Sequence, residues 1–317
     1  MLNTYPTAAS GPYAQSGRRC WYDLLNPTAE ETARVADECG VQVPSREALQ
    51  EIETSSRLRA DGQLLYLSMP LAIADASAAF IPIPLGFILS PTLLVTVRYS
   101  DVHAFERVRS RLDAHEHLEP PAVFAALVDG MVDYSADVLE KLSSDLAAVS
   151  DQTFGHKAPG LRDNRLSQGL RECLARIGNA GAHSSRIRES LLGLQRITGF
   201  VAEMAAGWSS PELLTHMKAA RQDLSSLVDF ESHLSGKTQF LLDAVLGFIS
   251  TEQNDIFKVL TIASVVGIPP TLIASMYGMN FHYMPELSWR WGYIYGLSLI
   301  ALSALLPILW FKRRGWW

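Results

Sequence analysis

The sequence predicts an α/β domain, a long α-helical stalk and two C-terminal transmembrane helices within one chain of 317 residues. Three observations predict it. Up to about residue 120, short apolar and β-branched runs alternate with helical patterns. From Pro121 to Tyr277, apolar residues recur at helical spacing with only two breaks. Beyond Lys258, two stretches carry no charged side chain, Val259 to Tyr283 and Trp291 to Phe311. Each exceeds the roughly 20 apolar residues that cross a hydrocarbon core of about 30 Å.

Composition agrees with a chain in two parts. About half of the residues are hydrophobic, yet the net charge is −6, so an acidic soluble part is joined to a membrane part. Residues 1–18 are rich in Pro, Gly, Ser and Thr, have no long apolar core and no signal-peptide pattern, and read as a frayed start. Cys20 to Leu25 reads as a strand. Asn26-Pro27-Thr28 then gives a turn and a helix start, with Thr28 as N-cap and Glu31 three residues on, the pattern of a capping box. Pro44-Ser45 starts a second helix similarly, with Ala48 where the box would want Glu. Gln63 to Ile73, Phe80 to Leu89 and Pro91 to Tyr99 read as strands. Asp61-Gly62 and Ala74 to Ala79 read as turns. Such alternation predicts a layered α/β domain over residues 1–120.

Long helices follow. Val123 to about Ser150 is one, broken at Phe154 to Pro159. Leu161 to about Ala206 is another, broken at Gly207 to Pro211. Ser210 is placed to cap a helix that carries Pro211 at its first position. No convincing stop then appears before Tyr277. A helix of that length would span about 100 Å at 1.5 Å per residue. The expected division is a long-helix and stalk region at 121–255, a first span at 256–280, an outer loop at 281–290, a second span at 291–312 and a basic tail at 313–317.

Lys258 precedes the first span, and Lys312, Arg313 and Arg314 follow the second, while the loop holds only Arg290. The positive-inside bias places the N-terminal domain and the C-terminus in the cytoplasm. Trp289, Trp291, Tyr293, Trp310, Trp316 and Trp317 lie near span ends, where amphipathic rings favour the interface. The first span is more than an anchor. Pro269 and Pro270 interrupt it, and each removes a backbone donor. Asn254, Phe257, Thr261, Ser264, Ile268, Thr271, Ser275 and Gly278 follow steps of three or four and share one stripe. A packing face of small residues between helices would look similar. If the stripe instead faces water, several copies must surround an axis, which implies a symmetric homo-oligomer.

The end of that span carries a specific signature. Tyr277-Gly278-Met279-Asn280 followed by Met284-Pro285-Glu286-Leu287 resembles the motif region of the CorA family of magnesium and cobalt transporters. Trp21 to Thr28 and Glu51 to Leu58 resemble family segments nearer the N-terminus. The resemblance implies a funnel-shaped homopentamer in the bacterial cytoplasmic (inner) membrane, with a stalk helix that becomes the pore-lining helix. It implies that Asn280 holds the hydrated ion at the outer mouth, with Gly278 and Met279 shaping that mouth. Pore positions carried down the helix are Thr271, Ile268, Leu260, Phe257 and Asn254; Leu260 lies one residue off the stripe, which runs through Thr261.

The residue chemistry suits that ion. Magnesium dehydrates reluctantly. The stripe holds no carboxylate, and neutral oxygens of Asn280, Thr271 and Asn254 can hydrogen-bond its waters without stripping them. Phe257, Leu260 and Ile268 suit apolar constrictions that close by dewetting. Glu286 in the loop can raise the local cation concentration over about a Debye length. Two positions depart from the family: His282 stands where Glu is frequent, and Ser288 where Lys or Arg is usual. His282 adds a group that titrates near neutral pH.

The resemblance also implies regulation by cytosolic Mg²⁺ at acids shared between subunits. Glu51 or Glu53 and, on the stalk, Asp223, Asp229 or Asp243 are the candidates, with Glu51 and Asp223 preferred; Ala219 occupies the family's own stalk position. Transported ions are expected to be chiefly Mg²⁺, with Co²⁺ and Ni²⁺ as secondary ions of similar hydration. Expected partners are four like subunits, the lipid bilayer and divalent ions, and no nucleic acid. The alternatives are a zinc transporter of the ZntB branch, which His282 favours and Met-Pro-Glu-Leu disfavours, and a membrane-anchored sensor or scaffold.

Other chemistries find little support. No phosphate-binding Gly-x-x-x-x-Gly-Lys-Ser/Thr loop occurs. Cys20, Cys39 and Cys173 are odd in number and far apart, so they suggest neither disulfides nor zinc. His115-Glu116-His117 places its imidazoles two apart, off a common helix face. His183, His216 and His233 read as polar-face residues. No nucleophile–base pattern marks an enzyme.

Overall fold

The structure, a computed structural model, describes residues 1–5, 21–51, 53, 57–74, 80–113, 119–155, 163–280, 282 and 284–316. Contacts gather the chain into two compact units, Met1–Leu161 with Arg171–Leu242, and Arg162–Leu170 with Asp243–Trp317.

The first unit is built on a sheet whose described strands number six, in the order β1-β2-β6-β5-β4-β3. They are β1 (Leu2–Tyr5), β2 (Trp21–Leu25), β3 (Leu58–Asp61), β4 (Leu64–Ala74), β5 (Phe80–Leu89) and β6 (Leu94–Arg98). Only β2 and β6 run parallel; the other neighbours are antiparallel. β5 has the predicted bounds. β6 begins later than predicted because Pro91 and Thr92 turn instead. The Ser90 hydroxyl accepts from the Thr92 and Leu93 amides there, at 3.4 and 3.0 Å.

The predicted frayed start is corrected at residues 1–5. Leu2 to Tyr5 pair with Leu24 to Trp21, so a neighbour 16 to 22 positions away supplies what the local sequence does not signal. Residues 6–20, which include Cys20, lie outside the described residues, as do Asp75 to Ala79 and the His115-Glu116-His117 cluster. β3 also escaped prediction, because its LRAD sequence lacks β-branched residues.

Helices cover both faces of the sheet. On one face, α1 (Ala29–Cys39) and α2 (Arg46–Gln50) bury Val35 and Leu49 in a cluster with Tyr22, Leu24, Ile88, Val95 and Val97. The capping box of α1 is present with both bonds, and Gly40 ends the helix in the left-handed region at φ 66°. The Ser45 hydroxyl caps α2 through the Ala48 amide alone. α2 lies so close to the sheet that a Cβ on Gly86 would stand 2.6 Å from a Leu49 methyl.

On the other face, α3 (His103–Asp113) and α4 (Pro120–Gly155) contribute Phe105 and Phe124, which meet Trp21 and Phe87 with ring centroids 6.1 and 5.4 Å apart. The two helices approach where a Cβ on Gly130 would lie 2.8 Å from that of Ala104. α5 (Asp163–Met204) joins the sheet through Ser190, whose hydroxyl accepts from the Ala72 amide at 2.7 Å. The start of α6 (Pro211–Tyr277) is capped by Ser210, as predicted, through the Leu213 amide at 3.2 Å. Inside the stack, buried Glu231 of α6 accepts from Ser184 and Arg188 of α5. Those two donors compensate the desolvation of the carboxylate.

The histidines divide. His233 is exposed, as expected of a polar face. His216 bonds both Asp129 oxygens at 2.8–2.9 Å. His183 is half-buried against the Phe80 ring, 4.9 Å between centroids, and burial lowers its pKa. It therefore belongs to a packed surface.

In the second unit, α6 continues without a break through Pro269 and Pro270 to Tyr277. A short 3₁₀ turn, Pro285–Ser288, precedes α7 (Gly292–Arg313). α6 and α7 are the two described helices long and apolar enough to cross a membrane.

Candidate functional site

The candidate site runs along the C-terminal part of α6 and into the loop beyond it. Sequence fixes the local geometry. Pro269 and Pro270 carry no N–H, so the carbonyls of Val265 and Val266 lack their usual donors four residues on. Helix persists on both sides. A groove of about 550 Å³ runs along one face here, lined by Ala263, Gly267, Ile268, Thr271, Leu272 and Ser275. Ile268 and Thr271 thus share a concave face with Gly267 and Ser275, as the spacing predicts.

Hydroxyl orientation adds a chemical property. Thr271 donates to the Gly267 carbonyl at 2.8 Å, and Thr261 donates to the Phe257 carbonyl at 2.7 Å. A threonine whose proton is engaged in the helix presents only lone pairs outward. Such a surface accepts hydrogen bonds. The water molecules around a cation point their protons outward and are the matching donors.

The apolar members of the row are bare in the single chain. Phe257, Leu260 and Ile268 are each more than 60% exposed, and Asn254 is exposed too. An apolar surface of this extent calls for lipid or other protein against it.

At the C-terminal end of α6, Gly278 closes the helix through its amide, 3.0 Å from the Ala274 carbonyl and 3.2 Å from that of Ser275. Gly278 is absent from the described glycines with positive φ, which are Gly40, Gly62 and Gly315. The helix therefore ends by tightening its last hydrogen bonds, without the left-handed glycine that commonly stops a helix. Met279 and Asn280 follow and are exposed, as are His282 and Glu286. Phe281 and Tyr283 lie outside the described residues.

Glu286 sits in the 3₁₀ turn, and the turn depends on a residue that motif reasoning overlooked. A Cβ on Gly292 would collide with the Glu286 carbonyl oxygen and lie 3.1 Å from its carbonyl carbon. The Gly292 amide donates to the Trp289 carbonyl at 2.9 Å. Gly292 is thus the hinge against which the loop folds back. Its only signal in the sequence is a glycine two residues after the loop.

Glu51 and Asp223 are both exposed in the first unit. Among the described residues, no group of three or more His, Cys, Asp or Glu is arranged to hold a metal ion.

A family model described as "CorA-like Mg2+ transporter protein" matches residues 16–313. The chain belongs to the CorA family. It is 34% identical over 300 residues to the "Magnesium transport protein CorA" of Sodalis glossinidius, covering 93% of this chain and 91% of that relative. The protein of the same name from Escherichia coli K12 is 32% identical over 299 residues, with the same two coverages. Among solved structures, the CorA magnesium transporter of Methanocaldococcus jannaschii superposes with a TM-score of 0.74 at 18% identity, covering 94% of this chain and 91% of that one. The α/β sheet, the long helices and the paired C-terminal helices are therefore the CorA fold. As a CorA-family member the chain is a metal-ion transporter by lineage.

Proposed function

We propose that the chain is one subunit of a homopentameric channel that passes hydrated Mg²⁺ inward across a bacterial cytoplasmic membrane, with both termini in the cytoplasm. Residues 256–280 and 291–312 are the spans, and 281–290 is the outer loop. Asn280, with Gly278 and Met279, forms the outer mouth. Thr271 and Asn254 accept hydrogen bonds from the ion's waters, and Ile268, Leu260 and Phe257 form the apolar constrictions. Glu286 and His282 set the charge around the entrance.

The observation that carries the reading is the hydrogen-bond acceptor that Thr271 presents on α6. Thr271 opens on a concave, carboxylate-free groove with its proton turned into the helix. Neutral acceptors hold a hydrated divalent ion weakly enough for it to leave, whereas a carboxylate ring would slow its exit. One helix cannot surround a pore, so the groove implies several copies around an axis. The membrane potential suffices as driving force, at about 4.6 kcal/mol per 100 mV for a divalent ion. Co²⁺ and Ni²⁺, whose hydrates are similar, are secondary ions. Cytosolic Mg²⁺ closes the pore where Glu51 of one subunit meets Asp223 of the next; a magnesium sensitivity unchanged in Glu51→Ala with Asp223→Ala would remove that part.

The test is uptake of Mg²⁺, Co²⁺, Ni²⁺ and Zn²⁺ into proteoliposomes under an inside-negative potential, with and without a pH gradient. Mg²⁺ entry that follows the potential, ignores the pH gradient and collapses in Asn280→Ala is expected. Zn²⁺ entry that needs the proton gradient would favour the zinc branch instead, and His282 is the residue that favours it. Unchanged uptake in Asn280→Ala would overturn the assignment of the mouth.

A further inference from the structure

We propose that a cleft in the α/β unit, between α2 and the β3–β4 edge of the sheet, binds a small organic anion carrying a phosphate group. The cleft has a volume of about 570 Å³ and is lined in part by Ser45, Glu51, Arg57, Arg59, Tyr66 and Ser68. That volume lies within the range of roughly 300–1,000 Å³ typical of small-molecule sites.

Strand register explains how these side chains meet. Arg59 pairs with Tyr66 across β3 and β4, and Leu58 pairs with Leu67. Side chains alternate between sheet faces, so Arg59, Tyr66 and Ser68 share the face that α2 covers, and Arg57, just before β3, lines the same cleft. Ser68 in turn pairs with Gly86, the glycine on which Leu49 of α2 rests.

Ser68 makes the cleft more than a surface dent. Its residue is only 8% exposed, yet its hydroxyl has no hydrogen-bond partner among the described residues. Such a group in the interior costs free energy unless something bonds to it. The two arginines are equally uncommitted. Arg57 donates through Nε to the Glu51 carbonyl at 2.6 Å, which leaves its two terminal amino groups available. Arg59 lies over the Tyr66 ring, 4.4 Å from its centroid. Neither arginine pairs with a carboxylate among the described residues. Among the described residues, Glu51 is the one carboxylate lining the cleft, against two guanidinium groups, so this described lining carries a net charge of +1.

Those features select the ligand. Guanidinium forks match the geometry of phosphate oxygens. The buried hydroxyl adds a neutral donor at the floor. A bare phosphate would fill only a fraction of the cleft, which leaves space for an organic body of about nucleoside size. This site is separate from the ion path and does not rest on the transport reading, although Glu51 at its rim is also the acid proposed for the regulatory Mg²⁺ contact.

Titration calorimetry of the full-length chain in detergent micelles tests it, with AMP, inorganic phosphate and adenosine as separate probes. Saturable binding of AMP, with inorganic phosphate weaker and adenosine absent, is expected. Arg57→Ala with Arg59→Ala should weaken AMP binding about ten-fold or more. Ser68→Ala should weaken it while leaving thermal stability equal or higher, since the orphaned hydroxyl is gone. Adenosine binding as tightly as AMP would overturn the proposal, as would no binding of AMP or phosphate up to about 5 mM. Undiminished AMP affinity in the double arginine variant or in Ser68→Ala would also overturn it.

Discussion

Arg98 and Asp23 form a buried ion pair across the parallel strands β2 and β6, with Nη2 and Oδ2 2.8 Å apart and both side chains less than 5% exposed. Asp23 also accepts from the Arg98 Nε at 3.0 Å and from the Thr96 hydroxyl at 2.8 Å. Thr96 in turn accepts from the Trp21 indole at 3.1 Å. Burial alone would depress the Arg98 pKa, but the hydrogen bonds and charges of Asp23 and, after it, Asp101 more than reverse it. The guanidinium also stacks over Phe105, 4.8 Å from the ring centroid. This network joins the one parallel pair among the described strands to α3.

Removing Arg98 strands the Asp23 carboxylate in the interior, and removing Asp23 leaves the Arg98 guanidinium with only the exposed Asp101, 3.3 Å away, as a charged partner. Asp23→Asn or Arg98→Met should each destabilise the fold by about 3–5 kcal/mol, and the double variant by clearly less than their sum. Thermal melts of the four proteins in detergent form the cycle. Additive losses would show that the two side chains act independently.

Glu31 gives the α/β unit a defined acid sensitivity. Its carboxylate accepts from the Thr28 amide at 3.0 Å, from the Met1 amino group at 2.9 Å and from the Leu2 amide at 3.0 Å. Those bonds, the Thr28 amide foremost, lower its pKa below the usual 4.5. A lowered folded pKa means that the unfolded chain binds the proton more readily. The stabilisation is therefore full above the unfolded value and fades as pH falls through the folded one. Glu31→Gln should lower the melting temperature at pH 7, and the gap to the parent should shrink below about pH 4.5. A gap that is constant from pH 7 to pH 3 would contradict the assignment.

Helix contact leaves a second mark. A Cβ at position 130 would stand 2.8 Å from the Ala104 Cβ and 3.2 Å from its Cα. Since backbone must move, Gly130→Ala should cost about 1–3 kcal/mol, despite alanine's better helix propensity. Gly178→Ala on α5 meets nothing within 4 Å and is the control. It should be neutral or stabilising by up to about 1 kcal/mol. Urea or thermal unfolding of both variants measures the difference.

What the sequence makes legible is mostly local. The capping box of Thr28 and Glu31, the start of α6 at Ser210-Pro211 and the bounds of β5 depend on neighbours a few residues apart, and they follow from propensity and spacing. The spans are legible because bilayer thickness turns composition into length. Along α6, spacing places Ile268, Thr271 and Ser275 together, and the groove agrees. Partnerships across long separations are not legible. Asp23 and Arg98 are 75 positions apart, and nothing near either announces the pair. β1 reads as polar and irregular until β2 is beside it. His183 looks polar until Phe80 packs on its ring. In the outer loop, the motif signals Glu286, but the steric role of Gly292 is invisible without coordinates.

That last residue yields the most direct test of how the outer loop is held. The Glu286 carbonyl occupies the space that any side chain at position 292 would need. An alanine there must push the 3₁₀ turn away from the start of α7, and with it Glu286, the acid proposed at the entrance. Gly292→Ala should lower thermal stability by about 1–3 kcal/mol and reduce Mg²⁺ uptake several-fold at equal protein density. Gly296, one turn along α7, meets nothing within 4 Å, so Gly296→Ala should leave uptake near the parent level. Glu286→Gln separates the two effects of a displaced loop. If charge is what matters, it should reduce uptake at low ionic strength while leaving stability intact, and added salt should narrow the gap. Equal uptake in Gly292→Ala and Gly296→Ala would mean that the turn can shift without consequence for the ion path.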